Sequence, residues 1–120
     1  MERGYVKIYR KMNDWGWYKD GNTFRVFIHL LLTVNHKDGR YQGHEIKRGE
    51  VVTGAKSLSA ALWLTENKVR TALKHLTKTG EITQKSTNKF TIVTICNWDE
   101  YNGGDDAGNP KDNFPFGGQL

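Results

Sequence analysis

Two helical stripes of apolar residues, a glycine and two strand-like segments follow one another between residues 55 and 95, and this order constrains the fold more than any other feature of the chain. The residues with helical spacing are Leu58, Ala61 and Leu62, and then Val69, Ala72, Leu73 and Leu76. The pattern breaks at residues 63–65, where Thr65 is a favourable N-cap, and Gly80 is suited to end the second helix. The sequence therefore predicts two short helices joined by a tight turn.

A β-hairpin is predicted directly after this pair of helices. Residues 81–86 (EITQKS) and 89–95 (KFTIVTI) have strand character on either side of the polar pair Thr87-Asn88. Two helices around a turn, followed at once by a hairpin, are the order of a winged helix. We therefore predict an α+β fold, a winged helix-turn-helix in which the hairpin is the C-terminal wing.

The N-terminal half is predicted to extend this unit with strand and helix. GYVKIYR (4–10) alternates like a short strand, and KMNDWGWYKDGN (11–22) has room for one helical turn before a capping cluster at Asp20. Residues 36–54 contain a β segment with a turn at Lys47-Arg48-Gly49.

The clearest apolar helix is predicted over residues 24–36. Its polar positions fall in one sector of the helical wheel, and apolar residues cover nearly all of the rest. Either this helix is central and the N-terminal strand and aromatic residues wrap it, or part of it is a subunit interface. The second alternative predicts a homodimer or higher self-association, with these candidate interface residues: Tyr5, Ile8, Trp15, Trp17, Phe27 and Leu31.

Composition divides the 120 residues into a basic body and a polar end. The formal net charge is +5. Residues 102–120 hold both prolines, five of the 13 glycines, and three aspartates against one lysine, so the basic excess lies in residues 1–101. We predict one folded domain over 1–101 and a flexible tail over 102–120.

Cellular location follows from what the sequence lacks. The single cysteine, Cys96, excludes a disulfide within the chain and suits a reducing compartment. No apolar stretch approaches the length of a membrane span, and the charged N-terminus does not resemble a secretion signal. The expected location is the cytoplasm, and no membrane partner is expected.

The second predicted helix has an outward face suited to DNA. Asn67, Thr71, Lys74 and Lys78 lie opposite its apolar stripe, and Arg70 and His75 flank them. Lysine and arginine neutralise phosphates, while asparagine, arginine and threonine can contact base edges. The hairpin adds Lys85, Asn88 and Lys89, which are suited to backbone or minor-groove contact.

Residues that could perform catalysis do not form a recognisable group. The four histidines lie on unrelated predicted elements, Cys96 stands alone, and no phosphate-binding glycine loop is present. The sequence predicts a protein that is not an enzyme and has no metal site and no cofactor.

Residues 4–101 resemble the N-terminal domain of phage and prophage replication-initiation proteins, the replisome organisers related to the DnaD N-terminal winged helix. The most specific motifs are W-x-W-Y-K-D (15–20), R-G-E-V-V-T (48–53) and the ending I-x-N-W-x-x-Y (95–101). The chain departs from the family pattern at Gly54, Ser59 and Trp63, and it is shorter than relatives that continue into a second domain.

The resemblance implies binding of DNA at an origin or a replication fork, with duplex DNA as the first expectation. It also implies self-association, recruitment of helicase-loading or other replication proteins, and a DNA-contact role for Lys68 beside the residues named above. A phage protein of this kind would act in the bacterial host cytoplasm. Two alternatives remain: a transcriptional regulator of the same fold, and a non-enzymatic adaptor or inhibitor that binds a protein.

Overall fold

The protein is a mixed α+β protein, as predicted. The computed structural model describes residues 4–103, and these form four α-helices, two 3₁₀ helices and short antiparallel strands. The helices are α1 (Gly21–Thr33), α2 (Ala55–Leu62), α3 (Glu66–Lys78) and α4 (Trp98–Tyr101), and the 3₁₀ helices span Arg10–Asp14 and Gly16–Lys19. The strands are β1 (Tyr5–Val6), β2 (Gly39–Tyr41), β3 (His44–Ile46), β4 (Glu50–Val52), β5 (Ile82–Ser86), β6 (Thr91–Ile95) and β7 (Asn102–Gly103).

Helix α1 is the centre of the domain. It begins where the Asp20 carboxylate accepts a hydrogen bond from the Thr23 backbone N–H at 3.2 Å, which confirms the predicted capping cluster. Its buried face packs against α3 and against the second 3₁₀ helix. Leu32 on the other side is 67% exposed. The wide apolar arc is therefore covered mainly by the chain itself, the first of the two predicted alternatives.

Aromatic residues of the N-terminal segment supply much of this cover. The Trp15 ring packs edge-on against Phe27 with 5.1 Å between ring centroids, and Phe27 in turn packs against Tyr101. Trp15, Phe27 and Leu31 are at most 2% exposed, so they belong to the core of this chain and have no surface to offer a second subunit. Their prediction as interface residues is corrected, because the sequence pattern does not distinguish cover within a chain from cover by another chain.

The main sheet has three strands in the order β4-β6-β5, all antiparallel. Strands β5 and β6 form the predicted hairpin, in register from Ile82 opposite Ile95 to Ser86 opposite Thr91. Strands β2 and β3 form a separate hairpin. The predicted turn before β4 is present, with Gly49 at a φ of +81°. After this turn, β4 pairs with β6 and does not pair with β3.

The pair β1 and β7 joins the two ends of the described chain. Tyr5 lies opposite Gly103 and Val6 opposite Asn102. The strand predicted over 4–10 is only two residues long, and 3₁₀ structure begins at Arg10. Asn102 and Gly103 were predicted to begin the flexible tail, but both are buried in this pairing; the rest of that segment lies outside the described residues. None of the helices in residues 4–103 combines the length and apolar character required to cross a membrane.

Candidate functional site

Helix α3 is positioned by signals at both of its ends. The Thr65 hydroxyl accepts a hydrogen bond from the Lys68 backbone N–H at 3.1 Å, which confirms the predicted N-cap. Gly80, just past the helix, has a φ of +85°, the left-handed conformation expected of a residue that ends a helix. Its buried side consists of Val69, Ala72, Leu73 and Leu76, the predicted apolar stripe. This packing directs the opposite side of α3 away from the core.

Six of the predicted contact residues lie on that outward side, which we call the α3 face. The exposed members are Asn67, Lys68, Arg70, Thr71, Lys74 and Lys78. One carboxylate accompanies them: Glu66 accepts from the Arg70 guanidinium at 3.0 Å, an exposed i,i+4 pair that contributes little to stability. Among residues 4–103, no acidic side chain pairs with Lys74 or Lys78. These two ammonium groups are therefore available to an anionic ligand.

A groove runs beside the α3 face and reaches the hairpin. Its volume is about 630 Å³, and α3 contributes Arg70, Lys74 and Lys78 to its wall. Gln84 of β5 forms part of the opposite wall, and its amide donates to Thr77 Oγ1 at 3.0 Å. The hydrogen bond fixes the hairpin alongside α3. The result is a concave surface with a mostly apolar lining, which includes Gly54, Ala55 and Leu73, and with three cations of α3 along it.

The turn of the β5–β6 hairpin is supported by the β2–β3 hairpin, a contact that was not predicted from the sequence. Phe90 packs edge-on against Tyr41 and His44 of the β2–β3 hairpin, each with 5.1 Å between ring centroids. Thr87 closes the turn by accepting from the Phe90 backbone N–H at 3.0 Å. Lys85, Asn88 and Lys89 are exposed around this braced turn, as predicted. Gly43 is the sequence signal that could have indicated this second hairpin, because Gln42 and Gly43 both have a positive φ in its two-residue turn.

His75 does not belong to the α3 face. Its ring stacks on Trp17 with 4.3 Å between centroids and an angle of 7°, and Nδ1 lies 2.9 Å from Thr23 Oγ1 and 3.3 Å from an Asp20 carboxylate oxygen. His75 therefore lies at a half-buried edge of α3 and not among the exposed side chains with which it was predicted. The helical wheel placed it at the edge of the outward face, but the second 3₁₀ helix and the start of α1 cover that edge.

The same inward edge of α3 carries a second polar connection. Thr79 Oγ1 accepts from the Trp17 indole N–H at 3.0 Å and lies 2.5 Å from Glu81 Oε1. Trp17, a candidate interface residue, is half-buried in this network. Burial raises the pKa of the Glu81 carboxyl, and the Thr79 hydrogen bond opposes the shift. The network attaches the end of α3 to the N-terminal segment.

One exposed residue of the turn between α2 and α3 had no predicted role. Trp63 is 91% exposed and has a φ of 59° and a ψ of 40°. A non-glycine residue with positive φ is uncommon, and a large aromatic side chain in that conformation is more so. In the sequence, Trp63 is notable only as one of the three departures from the family pattern.

The described residues include one free cysteine and no cluster of potential metal ligands. Within residues 4–103, no three His, Cys, Asp or Glu side chains lie close enough to hold a metal ion. Cys96 directly follows β6 and is exposed. Partial desolvation and the nearby Glu81 carboxylate raise the pKa of its thiol, which keeps it in the protonated, weakly nucleophilic form. Comparisons of the chain with protein-family models, with curated proteins and with solved structures give no match.

Proposed function

We propose that this chain is a DNA-binding winged-helix protein of phage or mobile-element origin that acts in the initiation of DNA replication. In this proposal α2 and α3 are the two helices of a helix-turn-helix, and the β5–β6 hairpin is the wing. DNA binds across the α3 face, and the hairpin turn contacts the backbone beside it.

The observation that carries the proposal is the combination of charge and shape at the α3 face. Lys74 and Lys78 have no acidic partner among the described residues, and they stand with Arg70 along a groove between helix and hairpin. A helix of 13 residues with one polar face fits the major groove of B-DNA, which admits an α-helix. Ammonium groups along its length would neutralise phosphates on both sides of the groove.

In this proposal, the residues that position the protein on the DNA backbone differ from the residues that recognise the DNA sequence. Lys74, Lys78 and the hairpin lysines suit phosphate oxygens, which carry no sequence information. Asn67 and Thr71 near the start of α3 suit base edges, since an asparagine can bond an adenine and a threonine can contact a thymine methyl group. Arg70 could also contact a base if its guanidinium released the exposed Glu66 carboxylate and donated its hydrogen bonds to the edge of a guanine.

The replication role comes from the sequence resemblance, and it favours a replication protein over a transcriptional regulator of the same fold. Self-association is part of that role. Of the candidate interface residues, Tyr5 and Ile8 remain on the surface, at 62% and 57% exposed. These two side chains are the apolar surface that a second copy, or a helicase-loading partner, would cover.

The test of DNA binding is a charge reversal on the α3 face. Lys74→Glu with Lys78→Glu should leave folding intact, because both side chains are exposed and α3 is attached through its other side. The control is Lys19→Glu with Lys37→Glu, which changes the net charge equally at exposed positions outside α3 and the hairpin. Fluorescence anisotropy with labelled duplex across a salt series measures affinity and the number of phosphate contacts for each protein.

Wild type should bind with strong salt dependence, and the α3 variant should lose most of its affinity. The two lysines together should contribute about −1.8 to the slope of log affinity against log salt, at −0.9 for each phosphate. The control variant should keep that slope. Equal affinity losses in both double variants would refute the assignment of the α3 face, since net charge alone would then explain binding. A folded wild type that binds no DNA at low salt would support the protein-binding adaptor.

A further inference from the structure

Trp63 violates two general preferences at once. Its side chain is 91% exposed, so the largest apolar side chain of the turn contributes almost nothing to the core. Its backbone is in the left-handed region, at φ 59° and ψ 40°, where an L-residue with a β-carbon is strained and glycine is not. Glycine would therefore satisfy the turn better than tryptophan does. Such an outlier favours a use of the indole outside the fold.

A network around Ser59 holds the turn in this shape. The Ser59 carbonyl accepts from the backbone N–H groups of Trp63 at 2.9 Å and Leu64 at 3.3 Å, and its hydroxyl donates to the Leu64 carbonyl at 2.6 Å. The Thr65 N-cap follows directly. The indole is thus carried on a fixed piece of backbone, and little ordering of the main chain would be needed when it contacts a ligand.

The position of Trp63 in the sequence, directly before the cationic helix α3, suits a nucleic acid better than a protein. Protein anchors of this size are normally ringed by other interface residues that exclude water. The other large exposed apolar side chains among residues 4–103 all lie on other elements: Tyr5, Ile8, Tyr18, Leu32 and Tyr41. Beside Trp63 in sequence, the first turn of α3 instead exposes Asn67 and Lys68, the start of the cationic α3 face. An exposed aromatic ring close in sequence to a cationic helix provides the two elements by which proteins hold unpaired bases, a stacking surface and charges that neutralise phosphates.

We infer that Trp63 stacks on an unpaired base of the DNA bound at the α3 face. This inference depends on the proposed function and narrows its ligand to DNA in which unpaired bases adjoin a duplex. A base inside a duplex is stacked on both sides and has no free surface for an indole. A base at the edge of an opened or single-stranded segment has a free ring surface on which an indole can stack. The lysines hold the duplex part, and Trp63 recognises the boundary.

The experiment compares two ligands: a short labelled duplex, and the same duplex with a single-stranded extension. The variants of the full chain are Trp63→Gly, which fits the backbone and lacks the ring, and Trp63→Phe, which keeps a smaller ring. Wild type should prefer the extended duplex. Trp63→Gly should lose between about 5-fold and 150-fold of affinity for it, the range for one base stacked on an aromatic side chain, and should bind the plain duplex as wild type does. Trp63→Phe should keep part of the preference.

Intrinsic fluorescence provides an independent measurement. Trp15 and Trp98 are buried at 2% and 7% exposed, and Trp17 is half-buried against His75, so Trp63 is the tryptophan most accessible to a base. The extended duplex should quench wild-type fluorescence more than the plain duplex, and the difference should disappear in Trp63→Gly.

The possible results distinguish the stacking role of Trp63 from the proposed DNA binding on which it rests. If duplex binding is intact but Trp63→Gly keeps the preference for the extended ligand, the stacking role is refuted while the DNA-binding proposal stands. If Trp63→Gly instead changes the oligomeric state measured by sedimentation, Trp63 is a contact between protein chains and the inference is wrong. If folded wild type binds neither ligand, both proposals fail together.

Discussion

Replacing Gly49 with alanine tests how the turn before β4 is built. Gly49 has a φ of +81°, and its carbonyl accepts a hydrogen bond from the Ile95 backbone N–H at 2.9 Å. A β-carbon added here would stand 2.8 Å from Trp98 Cβ and 2.9 Å from Trp98 Cγ. These distances are too short for real contacts, so the indole or the turn must move. Gly80 is the matched control, because its φ of +85° is similar and nothing lies within 4 Å of an added β-carbon.

The two substitutions separate backbone strain from packing. Left-handed strain for a residue with a β-carbon costs roughly 1–2 kcal/mol. This strain is the whole loss in the free energy of unfolding that we expect for Gly80→Ala. Gly49→Ala adds the cost of forcing extra volume into a packed site, about 1–3 kcal/mol, for a total loss of about 2–5 kcal/mol. Urea unfolding followed by circular dichroism measures both. If Gly49→Ala were no more destabilising than Gly80→Ala, Trp98 would not pack against this turn as described.

Three further predictions concern stability. Trp63→Gly should raise the free energy of unfolding by up to about 1 kcal/mol, since it relieves left-handed strain and removes an exposed side chain; a lower melting temperature would contradict this reasoning. Thr65→Ala should lower it by about 1 kcal/mol through loss of the N-cap, whereas Thr71→Ala on the exposed face of the same helix should change it little in the same urea titration. Burial raises the folded-state pKa of Glu81, so its stabilising contribution is complete below the ordinary pKa of a glutamate and is lost as pH rises through the raised value. Glu81→Gln should therefore be more stable than wild type at neutral pH, with an advantage that disappears in acid; a constant difference across that pH range would rule out titration as the cause.

Local signals were sufficient for helices α2 and α3 and for the hairpin. Thr65 and Gly80 were predicted as the two ends of α3, and the structure uses both because capping depends on neighbours in sequence. The same holds for the pair of strands around Thr87, where alternation and a polar turn are adjacent in the chain. For this reason most of the α3 face could be predicted residue by residue.

Features that depend on distant parts of the chain could not be predicted. Strand β1 pairs with Asn102 and Gly103, which composition alone assigned to a tail. The brace between Phe90 and the β2–β3 hairpin joins segments more than forty residues apart. The position of His75 could not be predicted for the same reason. A helical wheel describes α3 alone, whereas Trp17 and Asp20 from the N-terminal segment cover the edge of α3 on which His75 lies.

The two sides of α3 have separate tasks, and this separation makes the proposed function testable. On the inward side, His75 stacks on Trp17 and Thr79 connects Trp17 to Glu81, so that side attaches the helix to the N-terminal segment. On the outward side, Lys74 and Lys78 have no acidic partner among the described residues, so their replacement breaks no ion pair, and reversing the charge of Lys78 in the last turn of α3 costs at most about 1 kcal/mol through the helix dipole. A loss of DNA binding in an outward variant that circular dichroism shows to be folded would therefore be a loss of binding alone. Trp63 extends the same argument, because the change that removes its indole should make the protein more stable. For that reason, a loss of affinity in Trp63→Gly could not be attributed to unfolding.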